Sequence, residues 1–204
     1  MKKYYRLLIV LVGTIGILSL VFDDAFIVNP EHPMMSLRLF KYFTVLSNLL
    51  AVIYFWLIFS LRVDEKSRKW KNLVGGVMIY TTITFLVFSI FLEGLYIEKN
   101  LALVGSLCLH YINPIIIIGY VITYRNDFDF KFSDSYTWII FPVIYLIFLV
   151  IIGTITGDFL YPFFQVSEIG ILGLMISIIG LIGLFFLLSF GVVKILSKKY
   201  DVFS

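Results

Sequence analysis

Six stretches of this chain are each long and apolar enough to cross a bilayer, and little chain is left between them. The hydrocarbon core of a membrane is about 30 Å thick, so a spanning helix needs about 20 mostly apolar residues. Segments 5–22, 37–61, 72–92, 101–124, 136–156 and 168–195 of the 204 residues meet that requirement. Backbone inside lipid must satisfy its own hydrogen bonds, which leaves helices or a closed barrel. Apolar runs of this length select helices. The sequence therefore predicts an all-α integral membrane protein, a bundle of six transmembrane helices forming a single domain over 1–204. The last segment exceeds what a bilayer needs and calls for tilt or for extension past the interface.

Composition narrows the function classes. The chain is 61% hydrophobic and 14% charged, with a mean hydropathy of +1.02, which excludes a soluble domain. A net charge of +3 is spread over segment ends rather than along one face, so nucleic acid is not an expected partner. The single cysteine, Cys108, excludes an internal disulfide and a multi-cysteine metal site. It reads as a small buried apolar residue. The opening Met1-Lys2-Lys3-Tyr4-Tyr5-Arg6 mimics a signal peptide, but Leu18-Ser19-Leu20-Val21-Phe22-Asp23-Asp24 offers no small-x-small cleavage pattern. It is read as a retained first helix.

Lysine and arginine mark the cytoplasmic side of a membrane protein. Lys2, Lys3, Arg6, Arg62, Lys66, Arg68, Lys69, Lys71, Arg125, Lys131, Lys194, Lys198 and Lys199 fall on one side of the six-span arrangement. Only Arg38, Lys41 and Lys99 fall on the other. Both termini are expected in the cytoplasm. Gly170, Gly173, Gly180 and Gly183 in the last span are expected to permit close helix approach.

One histidine stands inside an apolar run. His110 lies in Leu107-Cys108-Leu109-His110-Tyr111-Ile112-Asn113-Pro114. An ionisable side chain in a span is costly and points to a functional site. Spans two and four both start from the outer surface. At a rise of ~1.5 Å per residue, Thr44 is ~10 Å deep and His110 ~13 Å deep, so they share a level. Lys41, Ser47 and Asn48 lie at i−3, i+3 and i+4 from Thr44, on one helix face. Asn113 follows His110 by one turn. Pro114 has no N–H for the His110 carbonyl and favours a kink there. Two outer loops, one with Asp23 to Pro33 and one with Thr154 to Phe163, would roof this pocket, with Glu93 and Tyr96 ending span three beside it.

Each of these residues also has a structural reading. A threonine in a helix commonly back-bonds to the carbonyl four residues earlier, here Phe40. Asn48 and Asn113 serve as interhelical glue. Lys41 and Arg38 snorkel to the interface. Asp23 and Asp24 end the first helix. No HExxH, Gly-x-Ser-x-Gly or phosphate-loop motif is present. His110 and His32 with scattered carboxylates make a poor metal set, so neither metal nor cofactor is expected.

At Lys41-Tyr42-Phe43-Thr44-Val45-Leu46-Ser47-Asn48, Leu109-His110-Tyr111-Ile112-Asn113-Pro114 and Tyr161-Pro162-Phe163 the chain resembles the androgen-induced-protein family of six-span membrane proteins. That family includes the androgen-dependent regulator of tissue factor pathway inhibitor and bacterial six-helix membrane proteins. The resemblance implies hydrolysis of fatty-acyl esters, of the kind in which a fatty acid is esterified to a hydroxy fatty acid. It implies Thr44 as nucleophile and His110 as its base. Ser47-Asn48 after the threonine and the single histidine before Asn113-Pro114 depart from the animal pattern. A hydroxyl needs such a base to attack an ester. Asn48, Asn113 and Tyr111 are the oxyanion donors to expect, with Ser47 and Tyr161 beside the substrate and Lys41 or Arg38 at its carboxylate. No carboxylate orienter is evident near His110, so a dyad is expected rather than a triad. The alternatives are a small transporter or lipid-binding membrane protein using the same pocket without covalent chemistry, and a structural partner in the membrane. The oligomeric state is not legible. Richness in Ile, Phe, Lys and Tyr suggests a bacterial source and hence the cytoplasmic membrane.

Overall fold

The computed structural model describes residues 1–61, 63, 67–95, 98–157 and 159–196, without the side chains of Pro33, Met35 and Ser36. Arg62, Lys66, Tyr96, Asp158, Lys198 and Lys199, which enter the sequence reading, lie outside the described residues. Six helices are long and apolar enough to cross a membrane: α1 (Lys2–Val28), α2 (Phe43–Ser60), α3 (Arg68–Leu92), α4 (Asn100–Thr123), α5 (Asp134–Thr156) and α6 (Val166–Leu196). No strand occurs among the described residues. The all-α membrane fold follows from the apolar segments alone, because each must close its own backbone hydrogen bonds in lipid.

The second span corrects the sequence reading. Residues 37–41 are not its first turn. They belong to a 3-10 helix, Pro33–Lys41, which ends at an extended Tyr42 (φ −80, ψ 136), and α2 starts at Phe43. Proline pre-sets the opening turn of that tighter helix, and the extended Tyr42 separates it from α2. Thr44 is therefore at the start of α2, and Lys41 is not on a helix face shared with Thr44, Ser47 and Asn48. The matched-depth argument, which counted from residue 37, loses its basis.

Other deviations are local. α1 runs past Phe22 through a π turn, Asp23–Val28. α3 ends in a second, Phe88–Leu92. In α4 the disturbance expected at Pro114 takes the form of a π turn, Leu107–Ile112, closed by the Asn113 N–H on the Cys108 carbonyl. An i→i+5 bond there shifts the pattern so that the missing proline donor is absorbed.

The chain falls into two compact units, the first spanning Met1–Asp129 and the second starting at Phe130. In the first, α1 packs on α2 and α4, and α3 packs on α2 and on the later part of α4. Ile9, Val45, Ala51, Phe55, Val74, Ile79, Leu109, Ile117 and Tyr120 are its buried core. Close approach in this unit depends on Gly13, Gly16 and Gly105. A Cβ on Gly16 would stand 2.5 Å from Leu109 Cδ2 and 2.9 Å from Cys108 Cβ, and one on Gly105 would stand 2.9 Å from the Gly16 carbonyl oxygen.

Polar contacts tie the two ends of the first unit. At one end Lys2 pairs with Asp127 at 2.7 Å, Arg6 reaches the Tyr120 hydroxyl, and Arg68 donates to the Asp129 carbonyl. At the other, Asp23 accepts from the Ala102 N–H at 3.1 Å and Asp24 pairs with Arg38 at 2.6 Å. The N-terminus, the start of α3 and the chain after α4 thus share one end, as alternation of four spans requires. Asp23 and Asp24 do not end α1, which runs on to Val28. Both are buried, and Asp23 supplies an acceptor to the first turn of α4, where N–H groups lack intrahelical partners.

The second unit holds α5 and α6. Trp138, Tyr145, Leu149, Phe164, Phe185 and Val193 are buried, and Phe130 meets Trp138 edge-on. The Asp134 carboxylate accepts from the Lys131 N–H at 2.8 Å at the entry to α5. α6 is interrupted near its start by Gly170 (φ 67, ψ 175), a left-handed conformation that favours glycine. Within this unit a Cβ on Gly180 or Gly183 would meet nothing within 4 Å, and the nearest atoms to one on Gly173 belong to Ile169 of the same helix.

Candidate active site

Thr44 Oγ1 lies 3.2 Å from His110 Nε2. The two residues come from α2 and α4, and the bond joins them across the first unit. Thr44 is half-buried, whereas His110 is 9% exposed. The threonine does not back-bond to Phe40 as a mid-helix residue would, because Phe40 belongs to the preceding 3-10 helix. Its hydroxyl is left for the imidazole.

The other nitrogen of the imidazole is also held. Nδ1 lies 3.1 Å from the Ser106 carbonyl oxygen and 3.0 Å from Ser106 Oγ. A carbonyl oxygen only accepts, so Nδ1 carries the hydrogen and Nε2 presents its lone pair. Thr44 therefore donates to Nε2. That is the tautomer a general base needs against a hydroxyl. Ser106 was missed in the sequence, although i−4 spacing on one helix would have revealed it. Glu98 neighbours Ser106. Burial pushes its carboxyl above the ordinary glutamate range, with Ser106 acting in the opposite direction.

Thr44 also stands in the first turn of α2, where no side chain caps the helix. The leading N–H groups of a helix have no intrahelical acceptor and carry the positive end of the dipole. The Thr44 and Val45 amides are therefore set beside the hydroxyl.

The expected oxyanion donors are placed differently from one another. Asn48 is wholly buried and donates to the Thr44 carbonyl at 2.9 Å and to the Leu109 carbonyl at 3.1 Å. Both its amide hydrogens are committed, so it clamps the dyad rather than offering a free donor. Asn113, also buried, donates to Asn48 Oδ1 at 2.9 Å. Tyr111 packs edge-on against Phe85 and Phe88. Its hydroxyl lies near Ser89 and Glu93 without a hydrogen-bond partner among the described residues.

The remaining candidates have other partners or settings. Ser47 is buried, donates to the Thr44 carbonyl at 3.1 Å and meets Thr84 Oγ1 at 3.0 Å. Its hydroxyl is thus turned to α3 rather than to a substrate beside Thr44. Arg38 is held by Asp24, which fills the carboxylate role expected of a substrate. Lys41 is exposed in the 3-10 helix. Tyr161 belongs to the second unit, where it accepts from Tyr145 at 3.3 Å and stacks on Phe163. Among the described residues no group of three His, Cys, Asp or Glu side chains is arranged to hold a metal ion.

Phe88 is the second residue that the sequence did not reveal. Its ring lies flat on the His110 imidazole, centroids 3.7 Å apart and planes 14° from parallel. No sequence spacing connects Phe88 with His110, since they sit on different helices.

No protein-family model, no curated protein and no solved structure matches the chain.

Proposed function

We propose that this chain is an intramembrane hydrolase of fatty-acyl esters, with Thr44 as nucleophile and His110 as its base. One observation carries the reading: a threonine hydroxyl 3.2 Å from an imidazole nitrogen whose opposite nitrogen is held by Ser106. A fixed tautomer facing a hydroxyl, inside an apolar protein, fits nucleophilic acyl transfer better than helix packing does. The resemblance of the segments around Thr44 and His110 to a family of lipid hydrolases points the same way.

The chemistry balances in two halves. The Thr44 oxygen attacks the ester carbonyl carbon while its proton passes to His110 Nε2. The carbonyl electron pair moves onto oxygen, where the Thr44 and Val45 amides at the start of α2 supply donors. The intermediate collapses, the alkoxide leaves, and His110 returns the proton to it. Water then attacks the acyl-threonine with His110 again taking a proton, and the fatty acid departs as Thr44 regains its hydrogen. The substrate class is a long-chain acyl ester, of fatty-acid–hydroxy-fatty-acid type, drawn from the membrane.

The charge distribution supports a cytoplasmic location for both termini, and composition supports a bacterial cytoplasmic membrane. The decisive experiment is covalent capture. The purified chain in lipid is treated with a long-chain fluorophosphonate, digested and mapped. The proposal expects the adduct on Thr44 and hydrolysis of long-chain acyl esters. Neither outcome in folded protein removes the enzyme reading and leaves that of a transporter or lipid-binding protein using the same polar groups.

A further inference from the structure

Phe88 and His110 both stand on π turns, Phe88 at the start of Phe88–Leu92 in α3 and His110 within Leu107–Ile112 in α4. Such turns are frequent at functional sites because the extra residue re-aims the side chains around it. Here the result is a face-to-face stack, 3.7 Å between centroids and 14° between planes. Phe88 is itself held from the side by Tyr111, whose ring stands edge-on at 5.8 Å and 86°.

Two uncharged rings prefer offset or edge-on contact to a face-to-face sandwich, because their faces are both electron-rich. The preference reverses when one ring is cationic, since the face of phenylalanine attracts positive charge. His110 becomes cationic only once it has taken a proton from Thr44. The stack is thus better matched to the charged intermediate than to the resting state, which is the condition for catalysis.

We propose that Phe88 is a positioning residue for ester hydrolysis: its face fixes the imidazole plane so that Nε2 meets Thr44 Oγ1, and it stabilises His110 while the imidazole holds the transferred proton. This rests on the hydrolase reading. Phe88 takes no proton and forms no bond in the reaction; it acts through the His110 ring it covers.

The test keeps the shape of the ring and changes its electrons. Phe88 is replaced in the full-length chain by 4-fluoro-, 3,5-difluoro- and pentafluorophenylalanine, and ester hydrolysis is measured in lipid. Each fluorine withdraws density from the ring face. The expected result is a stepwise fall in kcat reaching roughly 2- to 30-fold, with KM unchanged. Phe88→Leu should fall to the pentafluoro level or below. Should Phe88→Leu fail to fold, the fluorinated series alone decides. A flat series in an active enzyme overturns the proposal, as does a change in KM with kcat constant. A wild-type chain that hydrolyses no ester and takes no probe on Thr44 overturns the hydrolase reading and this proposal with it. The two failures are therefore told apart by wild-type activity.

Discussion

The Asn113 side chain donates to Asn48 Oδ1 at 2.9 Å, and Asn48 passes both of its own amide hydrogens to the carbonyls of Thr44 and Leu109. One asparagine thus bridges the residue that bears the hydroxyl and the residue before the imidazole. The spacing between α2 and α4 at the dyad is set by this clamp.

Removing the clamp should cost stability and register together. Asn48→Ala leaves the buried Leu109 carbonyl without its donor and Asn113 without an acceptor, at a cost of about 1–3 kcal/mol. Ser47→Ala, whose Thr44 carbonyl keeps Asn48, should cost no more than about 1 kcal/mol. Reversible unfolding in detergent measures both. Fluorophosphonate labelling of Thr44 should slow in Asn48→Ala and persist in Ser47→Ala. Equal effects of the two changes would deny the bridge.

The dyad should behave as one unit. Thr44→Ala, His110→Ala and the double change should each lose about the same activity, since a base without its nucleophile does nothing more. Each loss should be at least on the order of 10²-fold, the low end for a general base. Thr44→Ser keeps the hydroxyl and should retain part of the rate, whereas Thr44→Val should not. Hydrolysis of long-chain acyl esters by purified, folded variants is the assay. Wild-type turnover by Thr44→Val would reduce the threonine to a packing role.

Gly16 and Gly180 should differ, although both are glycines in apolar helices. Gly16→Val drives a side chain into Leu109 and Cys108, and overpacking of this kind costs about 1–3 kcal/mol. It also pushes on the turn that carries His110, so Thr44 labelling should slow. Gly180→Ala has open space around the new carbon and should be neutral or raise stability by up to about 1 kcal/mol through helix propensity. Thermal unfolding in detergent separates them, and a destabilised Gly180→Ala would show that α6 packs through its glycines after all.

Orientation is open to a direct test. In a Cys108→Ser background, Asn126→Cys should resist a membrane-impermeant thiol reagent in intact cells, and Leu160→Cys should react. The reverse pattern would place the basic ends outside and invert the proposed topology.

The apolar segments by themselves determine that the described chain is helical and membrane-spanning, because backbone in lipid has no other partner for its hydrogen bonds. The same local logic picks out His110, whose burial among apolar neighbours demands a reason. Sequence spacing on one helix also contains Ser106, four residues before His110. The start of α2 was not legible in this way: hydropathy does not distinguish a 3-10 helix from an α-helix over 37–41, and the extended Tyr42 moves the boundary. Nor does sequence say which face of one helix meets another. Tertiary packing alone turned Thr44 to His110, spent Asn48 on two carbonyls, paired Arg38 with Asp24 and laid Phe88 on the imidazole. Helix rotation and π register fix those contacts, and both depend on how glycines such as Gly16 let α1 and α4 close on each other. Hydrophobic periodicity carries the first kind of information because it follows from the solvent. It carries little of the second, because in lipid most helix faces are apolar whether they meet lipid or another helix.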